Sequence, residues 1–546
     1  MNRVVRNILV TSALPYANGN LHLGHILEFI QTDIWVRYHK QIGNSCFYIS
    51  GDDSHGTPIM LKASNDRLTP DELVNMYYLS HKLDLMDFGI CLDNYYTTHS
   101  LENNYLSCYI FNKLNENGYI FTDCVNQLYD DSKNIFLPDR YVKGKCPSCY
   151  ASDQYGDVCE KCSSRYDSID LIDPVSVISG HKPVNKKSKH YFFNLKLFQD
   201  FLLDWCKNNI SQVEVVNKLN EWFSVGLKSW DISRDSPYFG ILIPNEIDKY
   251  FYVWLDAPIG YIASFKNLCF IRNISFDDYW GKNSSFELYH FIGKDIMYFH
   301  ALFWPAVLKG SDFRLPNDVF VHGFLTINGR KMSKSNGTFV TVRDYLKFFD
   351  PDLLRYYFAS KLNDSICDID FNFVDFVSKV NSDLVGKFVN ILSRCANIIN
   401  NNYGGFLSST ISNWFLFEKF LGIKGLVIPL YDKRQYSKVV SLLMKYVEDL
   451  NFYIDSEKPW FLVKDKNTYD RAHEVCTTAI NLFVLLVINI KPIMPCLAKR
   501  VECILDLGDL NWNNFKEPLF SRKVNKFEHL IKRINIDNFN ELFVNV

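Results

Sequence analysis

Pro15-Tyr16-Ala17-Asn18-Gly19-Asn20-Leu21-His22-Leu23-Gly24-His25 is the stretch whose reading decides the fold. Before it runs Asn7-Ile8-Leu9-Val10-Thr11, a short apolar run that reads as a buried parallel strand. After it a helical pattern extends from Ile26 to Tyr38. Strand, Gly/Asn loop and helix N-terminus, in that order, is where α/β folds bind phosphates. His22 and His25 are three apart and share one face of the first helical turn. Two imidazoles beside a helix N-terminus can donate to a phosphate while negative charge builds on it. Gly24 leaves bare backbone for a flat base to lie against. A capped helix with two surface histidines would carry the same residues, so this stretch alone leaves both readings open.

A second stretch separates them. Lys331-Met332-Ser333-Lys334-Ser335 lies between Asn328-Gly329-Arg330 and Asn336-Gly337-Thr338. Two lysines and two serines on a glycine-flanked loop can close over a triphosphate and neutralise charge as pyrophosphate departs. Alone, such a basic loop is ordinarily just solvated. Together and in this order, HLGH and KMSKS resemble the paired signature of the class I aminoacyl-tRNA synthetases. Residues 11–25, 51–63, 230–235, 250–261 and 291–300 are each similar to the methionyl-tRNA synthetase family, and the likeness runs through nearly the whole chain.

That resemblance implies an α/β fold: a class I Rossmann-like parallel-sheet catalytic domain with a zinc-bearing insertion and a C-terminal all-α helix bundle. It implies activation of L-methionine by ATP and transfer to tRNA(Met), initiator tRNA included. His22, His25, Lys331 and Lys334 would be catalytic; Gly24 and Ser333 would join them around ATP, which brings Mg. Leu14, Tyr16, Trp254, Ala257, Pro258, Tyr261, Ile296 and His300 would line the methionine pocket, with Asp53 on the amino group. Asn390, Arg394 and Trp460 would read the anticodon, and Gly386 stands where relatives carry a polar residue.

Read without the family, the same residues say less. Asp52 and Asp53 end a second strand, Cys46 to Gly51, where acids face the mouth of a parallel sheet, or one of them caps the next turn. The aromatics of 251–300 suit an unbranched thioether as a set, yet each by itself reads equally as core. Arg234 and Asp295 are a candidate ion pair shaping the pocket. Pro70 to Asn117 reads as amphipathic helix without chemistry.

Cys146-Pro-Ser-Cys149 and Cys159-Glu-Lys-Cys162, nine residues apart, supply four thiolates for one structural tetrahedral zinc, with a redox disulfide as the alternative. The remaining eleven of fifteen cysteines are scattered, as in reduced cytoplasmic cores. The zinc pairs sit in an insertion too short for the editing domain of the leucine, isoleucine and valine enzymes. With 546 residues the chain predicts several domains. These are 1–117 and 229–325 for the two catalytic halves, 118–228 for the insertion, 326–378 for the KMSKS loop and stem-contact fold, and 379–546 for the bundle. Helical period fills this last part, with breaks expected at Tyr403–Gly405, Pro429, Pro459 and Pro492.

Net charge is −2, from 59 basic and 61 acidic side chains, so any RNA binding must use local patches. No signal peptide or membrane span is expected; Leu482 to Ile490 reads as a buried helix. A cytoplasmic monomer is expected, because the dimerising barrel some relatives append is missing. Two rivals stand: a cysteinyl-tRNA synthetase, which shares both signatures, and a zinc-containing RNA-binding protein with a dead nucleotide fold. Intact HLGH and KMSKS oppose the second.

Overall fold

The computed structural model describes residues 4–156, 158–162, 164–332, 339–513, 515–526 and 529–537. The apolar run before the first loop becomes β1 (Asn7–Ser12), with Ile8, Leu9 and Val10 fully buried. It lies at the centre of a five-stranded parallel sheet with β2 (Ser45–Asp52), β3 (Asn94–Thr97), β4 (Glu287–Gly293) and β5 (Asp318–His322), in the order β5-β4-β1-β2-β3. Ile8 stands opposite Glu287 on one side and Cys46 on the other. The chain lays β2 and β3 down on one side of β1 and returns to lay β4 and β5 on the other. The crevice at this reversal, above the carboxyl ends of β1 and β4, is where such sheets bind ligands.

β3 corrects the reading of Pro70–Asn117 as helix throughout. That region folds as two helices, Pro70–Asp87 and Leu101–Glu116, with the strand between them. Four residues with one paired neighbour are too few to show a period.

Helix α1 (Leu23–Gln41) follows the decisive loop, and nearly all of it is buried, polar residues included. One face packs on the sheet. The other meets the C-terminal half of the chain, where one core runs without interruption from Ile8 and Ile30 to Leu443 and Leu486. At its middle Asp33 accepts from Arg37 Nε and from Arg355 Nη2, both at 2.6 Å, and from the Cys91 amide at 2.8 Å. Arg355, itself wholly buried, donates onward to the carbonyls of Ile493 (2.8 Å) and Pro492 (3.1 Å). Burial works against the Asp33 charge, but Arg37 and Arg355 outweigh it and hold the carboxyl below its ordinary range.

The insertion opens from the helix after β3. Ile120–Asp130 pairs antiparallel with Val184–Phe193, extended by Trp230–Asp231 and Ile135–Phe136. A second small sheet, Gln154–Tyr155, Val142–Lys145 and Ile172–Ser176, adjoins the cysteine pairs. The helices Gln199–Asn209 and Val213–Val225 fall within 118–228, yet they bury Leu202, Trp205 and Leu219 in the core that holds Val319 and Val321 of β5. Helix α2 (Val253–Arg272) then crosses back over the sheet.

Beyond residue 379 the chain is a helix bundle centred on α3 (Val389–Asn402), α4 (Tyr436–Glu457) and α5 (Tyr469–Ile490). By length and composition α5 is long and apolar enough to cross a membrane, but 89% of its apolar window is buried inside the bundle. Two expectations fail here. Pro429 lies inside the helix Ile423–Asp432; the hydrogen bond it removes is outweighed by burial of Ile423, Val427 and Tyr431. The described residues of 505–537, read as helical, contain no long helix. They run back over the bundle with Trp512, Phe515, Val524 and Leu530 buried, and the Phe406–Lys523 bridge ties them to the loop after α3.

Asp33→Ala leaves the Arg355 guanidinium buried without a counter-charge, which costs about 3–5 kcal/mol. Urea denaturation should therefore show the first unfolding transition moved to markedly lower midpoint; a shift worth under about 1 kcal/mol would remove this pair from the interdomain contact.

Candidate active site

A cavity of about 1080 Å³ opens above the carboxyl ends of β1, β2 and β4. His22 caps α1: its Nδ1 accepts from the Gly24 amide at 3.1 Å, while His25 Nδ1 accepts from the His22 amide at 3.3 Å. The two rings stack at 3.7 Å. With both Nδ1 lone pairs engaged by backbone, the N–H that either ring presents is on Nε2, away from the helix backbone. Burial and the neighbouring His22 push His25 far below the ordinary histidine range, so it offers a neutral N–H donor. Gly24 is tightly enclosed: a Cβ there would stand 2.8 Å from Met332 Cε and 2.9 Å from His22 Cε1. Its open face is thus covered by Met332 in this structure.

The two aspartates at the end of β2 take different parts. Asp52 accepts from His81 Nδ1 at 2.7 Å and from the Tyr95 hydroxyl, and His81 Nε2 reaches the Gly19 carbonyl at 2.8 Å. It is a strut holding the loop before His22. Asp53 lines the cavity and is nearly buried, and its Oδ1 has no hydrogen-bond partner. Burial first, then the nearby Asp256, lift the Asp53 carboxyl well above its ordinary range. A buried, half-satisfied carboxyl of this kind gains most from an arriving cation.

The residues expected around the side chain lie along one cavity. Leu14, Tyr16, Trp254, Ala257, Pro258, Tyr261, Ile296 and His300 all line the cavity. His300 Nδ1 donates to the Ile296 carbonyl at 3.1 Å, so its Nε2 accepts from the Tyr261 hydroxyl at 2.8 Å. Burial holds His300 down to about 4, leaving the ring uncharged. Trp254 stacks on Phe299 at 4.3 Å, and Tyr16 donates to the His55 carbonyl at 2.7 Å. The Arg234–Asp295 ion pair is not formed. Arg234 lies 3.8 Å from the Tyr252 ring and 3.6 Å from Asp231, while both Arg234 and Asp295 line the cavity. The short spacing from Asp231 to Arg234 supplies a nearer carboxylate than Asp295.

The KMSKS stretch is anchored at both ends. Lys331 ends a strand pair with Leu325–Ile327. On the far side the Leu23 amide donates to the Val340 carbonyl (3.2 Å), the Val342 amide donates to the Leu21 carbonyl (2.9 Å), and Phe339 meets the His22 ring edge-on at 5.2 Å. Lys331, Met332 and Phe339 line the cavity. Ser333 and Lys334 lie outside the described residues. Two further lining groups escaped the sequence reading: Glu28, which accepts from the Ala13 amide, and His322, 3.1 Å from Glu28. Neither belongs to a recognisable motif, and no local pattern marks them.

Away from the cavity floor, the sulfurs of Cys146, Cys149, Cys159 and Cys162 all lie within 4.8 Å of one another, with Cys149–Cys159 at 3.5 Å and Cys146–Cys162 at 3.8 Å. A tetrahedron with metal–sulfur bonds of about 2.3 Å has edges of about 3.8 Å, so this set fits a four-thiolate metal. Amides of Ser148 and Cys149 point at the Cys146 sulfur and that of Cys162 at Cys159, each at 3.4 Å, as charge on sulfur requires. In the bundle, the Arg394 guanidinium lies 4.5 Å from the Trp460 ring and is held by Asp455 at 2.6 Å; Asn390 is one turn earlier on α3. Trp460 is partly buried against the bundle core.

Residues 8–396 match the family model described as tRNA synthetases class I (M). The chain is 49% identical over 547 aligned residues to a methionine--tRNA ligase of Buchnera aphidicola subsp. Acyrthosiphon pisum, covering 100% of both chains. It is 50% identical to that of Vesicomyosocius okutanii subsp. Calyptogena okutanii, covering 98% of each. Its fold is that of Mycobacterium tuberculosis methionyl-tRNA synthetase in complex with methionyl-adenylate, with a TM-score of 0.78 at 22% identity over 96% of this chain and 99% of the other.

A neutral buried His300 has a signature in stability. Between its ordinary 6.5 and its folded value of about 4, only the unfolded chain takes up a proton there. The folded state therefore loses stability as pH falls through that window, by up to about 3 kcal/mol for this one group. In His300→Gln the fall should be correspondingly shallower, read as melting temperature against pH from 7.5 to 4.5. Parallel curves for the two proteins would show that His300 charges in the folded state.

Proposed function

The chain belongs to the methionine group of the class I tRNA synthetases, and we propose from that membership and from the cavity the following course of reaction. It activates L-methionine with ATP, giving methionyl-adenylate and pyrophosphate, and transfers the methionyl group to the terminal adenosine of tRNA(Met). The observation that carries the residue assignments is the buried Asp53 carboxyl, with an unpartnered oxygen, lining the same cavity as the apolar side chains and the stacked histidines. Asp53 takes the ammonium group. The pocket formed by Leu14, Trp254, Ala257, Pro258 and Ile296 surrounds the thioether, with the hydrogen-bonded Tyr261–His300 pair at its end. Since His300 is neutral and its Nδ1 proton is committed, the pocket presents no charge to reject the apolar side chain.

Held at both ends, the substrate presents its carboxylate to the α-phosphate of ATP near the N-terminus of α1. His22 and His25 donate through Nε2 to the phosphate oxygens as the pentavalent state forms. Lys331 and Lys334 neutralise the departing pyrophosphate, and Mg accompanies the nucleotide. Asn390, Arg394 and Trp460 read the anticodon, Arg394 and Trp460 already packed as a stacking surface. Methionine-dependent ATP–pyrophosphate exchange tests the activity directly. In the same assay Trp460→Ala should be normal, since no tRNA takes part, while tRNA charging falls about 5- to 150-fold, the worth of a lost base stack of about 1–3 kcal/mol. Normal charging by this variant, with an unchanged melting temperature, would take the anticodon role from Trp460.

The four sulfurs suit one zinc, which with every position filled supplies structure and no open site for chemistry. Its place explains a use. Gly156, between the two cysteine pairs, packs so closely that a Cβ would stand 2.7 Å from Ser168 Cβ and 2.8 Å from the Asp139 carbonyl. Asp139 and Ser168 both line the cavity, so the knuckle braces its roof. Metal analysis should find one equivalent of zinc. Cys159→Ser should lose it and become sensitive to limited proteolysis within the insertion, with the sheet and bundle intact. Two equivalents, or metal loss that leaves the insertion resistant, would contradict this.

A further inference from the structure

Behind Asp53 lies a chain of four titratable groups that the reaction above does not use. Asp256, on α2, is wholly buried. Its Oδ2 is 2.6 Å from His55 Nδ1; His55 Nε2 is 3.1 Å from His99 Nδ1; His99 Nε2 is 2.9 Å from Asp71 Oδ1. The line runs from the back of the cavity wall to the surface, where the Asp71 side chain is 68% exposed. His55 is buried and His99 exposed, and both rings pack against Phe239. Asn103 adds a weak contact to Asp256 at 3.5 Å, and Asp256 Oδ1 has no partner.

The proton count of this line is fixed by its geometry. Three hydrogen bonds need three protons, and a carboxylate can only accept. Two neutral imidazoles bring two. The third rests on the ring pair as one shared positive charge, on Asp256 or on Asp71; Asp71 is 68% exposed, where water favours its carboxylate, which leaves the first two, and in both the charge of Asp256 is cancelled. That cancellation matters because Asp256 is close enough to Asp53 to raise it. Two uncompensated carboxylates in one buried place share a proton, and an Asp53 that holds this proton cannot take an ammonium group.

We infer that His55 and His99 are positioning residues for methionine's amino group: together with Asp71 they hold the proton that neutralises Asp256, so that Asp53 alone carries negative charge into the cavity. The inference rests on the proposed role of Asp53. It places a determinant of amino-group affinity outside the cavity lining, since neither His55, His99 nor Asp256 lines it.

The test is a charge-compensation cycle in ATP–pyrophosphate exchange. Glutamine at 55 can still donate to Asp256 but brings no extra proton. His55→Gln should raise the methionine KM about tenfold or more, with kcat and the ATP KM changed by less than about threefold. Adding Asp256→Asn removes the charge that needed cancelling. The double variant His55→Gln/Asp256→Asn should return the methionine KM to within about threefold of wild type. A merely structural role predicts the opposite, losses that multiply, and that result overturns the inference. Should His55→Gln fail to fold, His99→Gln, nearer the surface, carries the same test, with a smaller rise in methionine KM relieved by Asp256→Asn; no rise, or no relief, is equally contrary. Wild-type exchange, measured first, separates failure of the activity from failure of this relay.

Discussion

Helix α1 is buried on two faces, and this constraint governs the rest of the structure. A helix of this kind cannot choose one partner; sheet and bundle must both be present for its apolar and polar positions to be satisfied. The Asp33–Arg355 pair is the price of closing that seam, because once α1 is covered on both sides its one central charge has no access to water. Arg355 answers it and carries the contact to the end of α5 through the carbonyls of Pro492 and Ile493. Tyr436 and Trp35 add direct bonds, to the Gln31 and Asp432 carbonyls, along the same face. The stacked histidines therefore stand at the end of a rigid rod roughly 28 Å long, whose length is clamped by the bundle.

Within the cavity, burial is used selectively. It keeps His25 and His300 neutral, so that one acts as an N–H donor and the other as an uncharged end wall. The same burial acting on carboxyls would leave them protonated, and each acid meets that problem differently. Asp52 has His81 and Tyr95. Glu28 has His322 and the Ala13 amide. Asp256 has His55. Asp53 differs in another way: Asp52 Oδ2 and Asp256 Oδ1 also lack a partner, but no described side chain bonds to the Asp53 carboxyl, which leaves it open to an arriving group.

What could be read from the sequence follows from how local each signal is. HLGH, the CxxC pairs and the KMSKS loop are each contiguous in sequence, and in the first two the residues face one another through turns of a few residues. The central strands were legible because burial on both faces makes a continuous apolar run. β3 was not, being four residues at an edge. His81, His99 and Asp71 were passed over inside a stretch read as plain helix, because their partners Asp52 and His55 come from another part of the chain. Arg234 was paired with the wrong acid for a related reason: with two acids close in sequence, Asp231 and Asp235, reach and angle decide, and spacing does not show them. The extended segment after residue 505 buries Trp512 and Phe515 by lying across the bundle, a pattern with no period to detect.

The near-neutral charge of the chain sets one last condition. Several basic groups of the bundle are already engaged by an acid, Arg394 by Asp455, Lys387 by Glu448 and Lys419 by Asp449. RNA approaching such a surface gains little from long-range attraction, so in the proposed role specificity has to come from contact. Exposed pairs of this type are worth at most about 1 kcal/mol. Giving one up costs less than stacking a base on Trp460 returns, about 1–3 kcal/mol. Until then Asp455 serves to hold Arg394 beside the Trp460 ring, so in the proposed role the surface meets an unpaired base with these two side chains already placed and less side-chain entropy to lose.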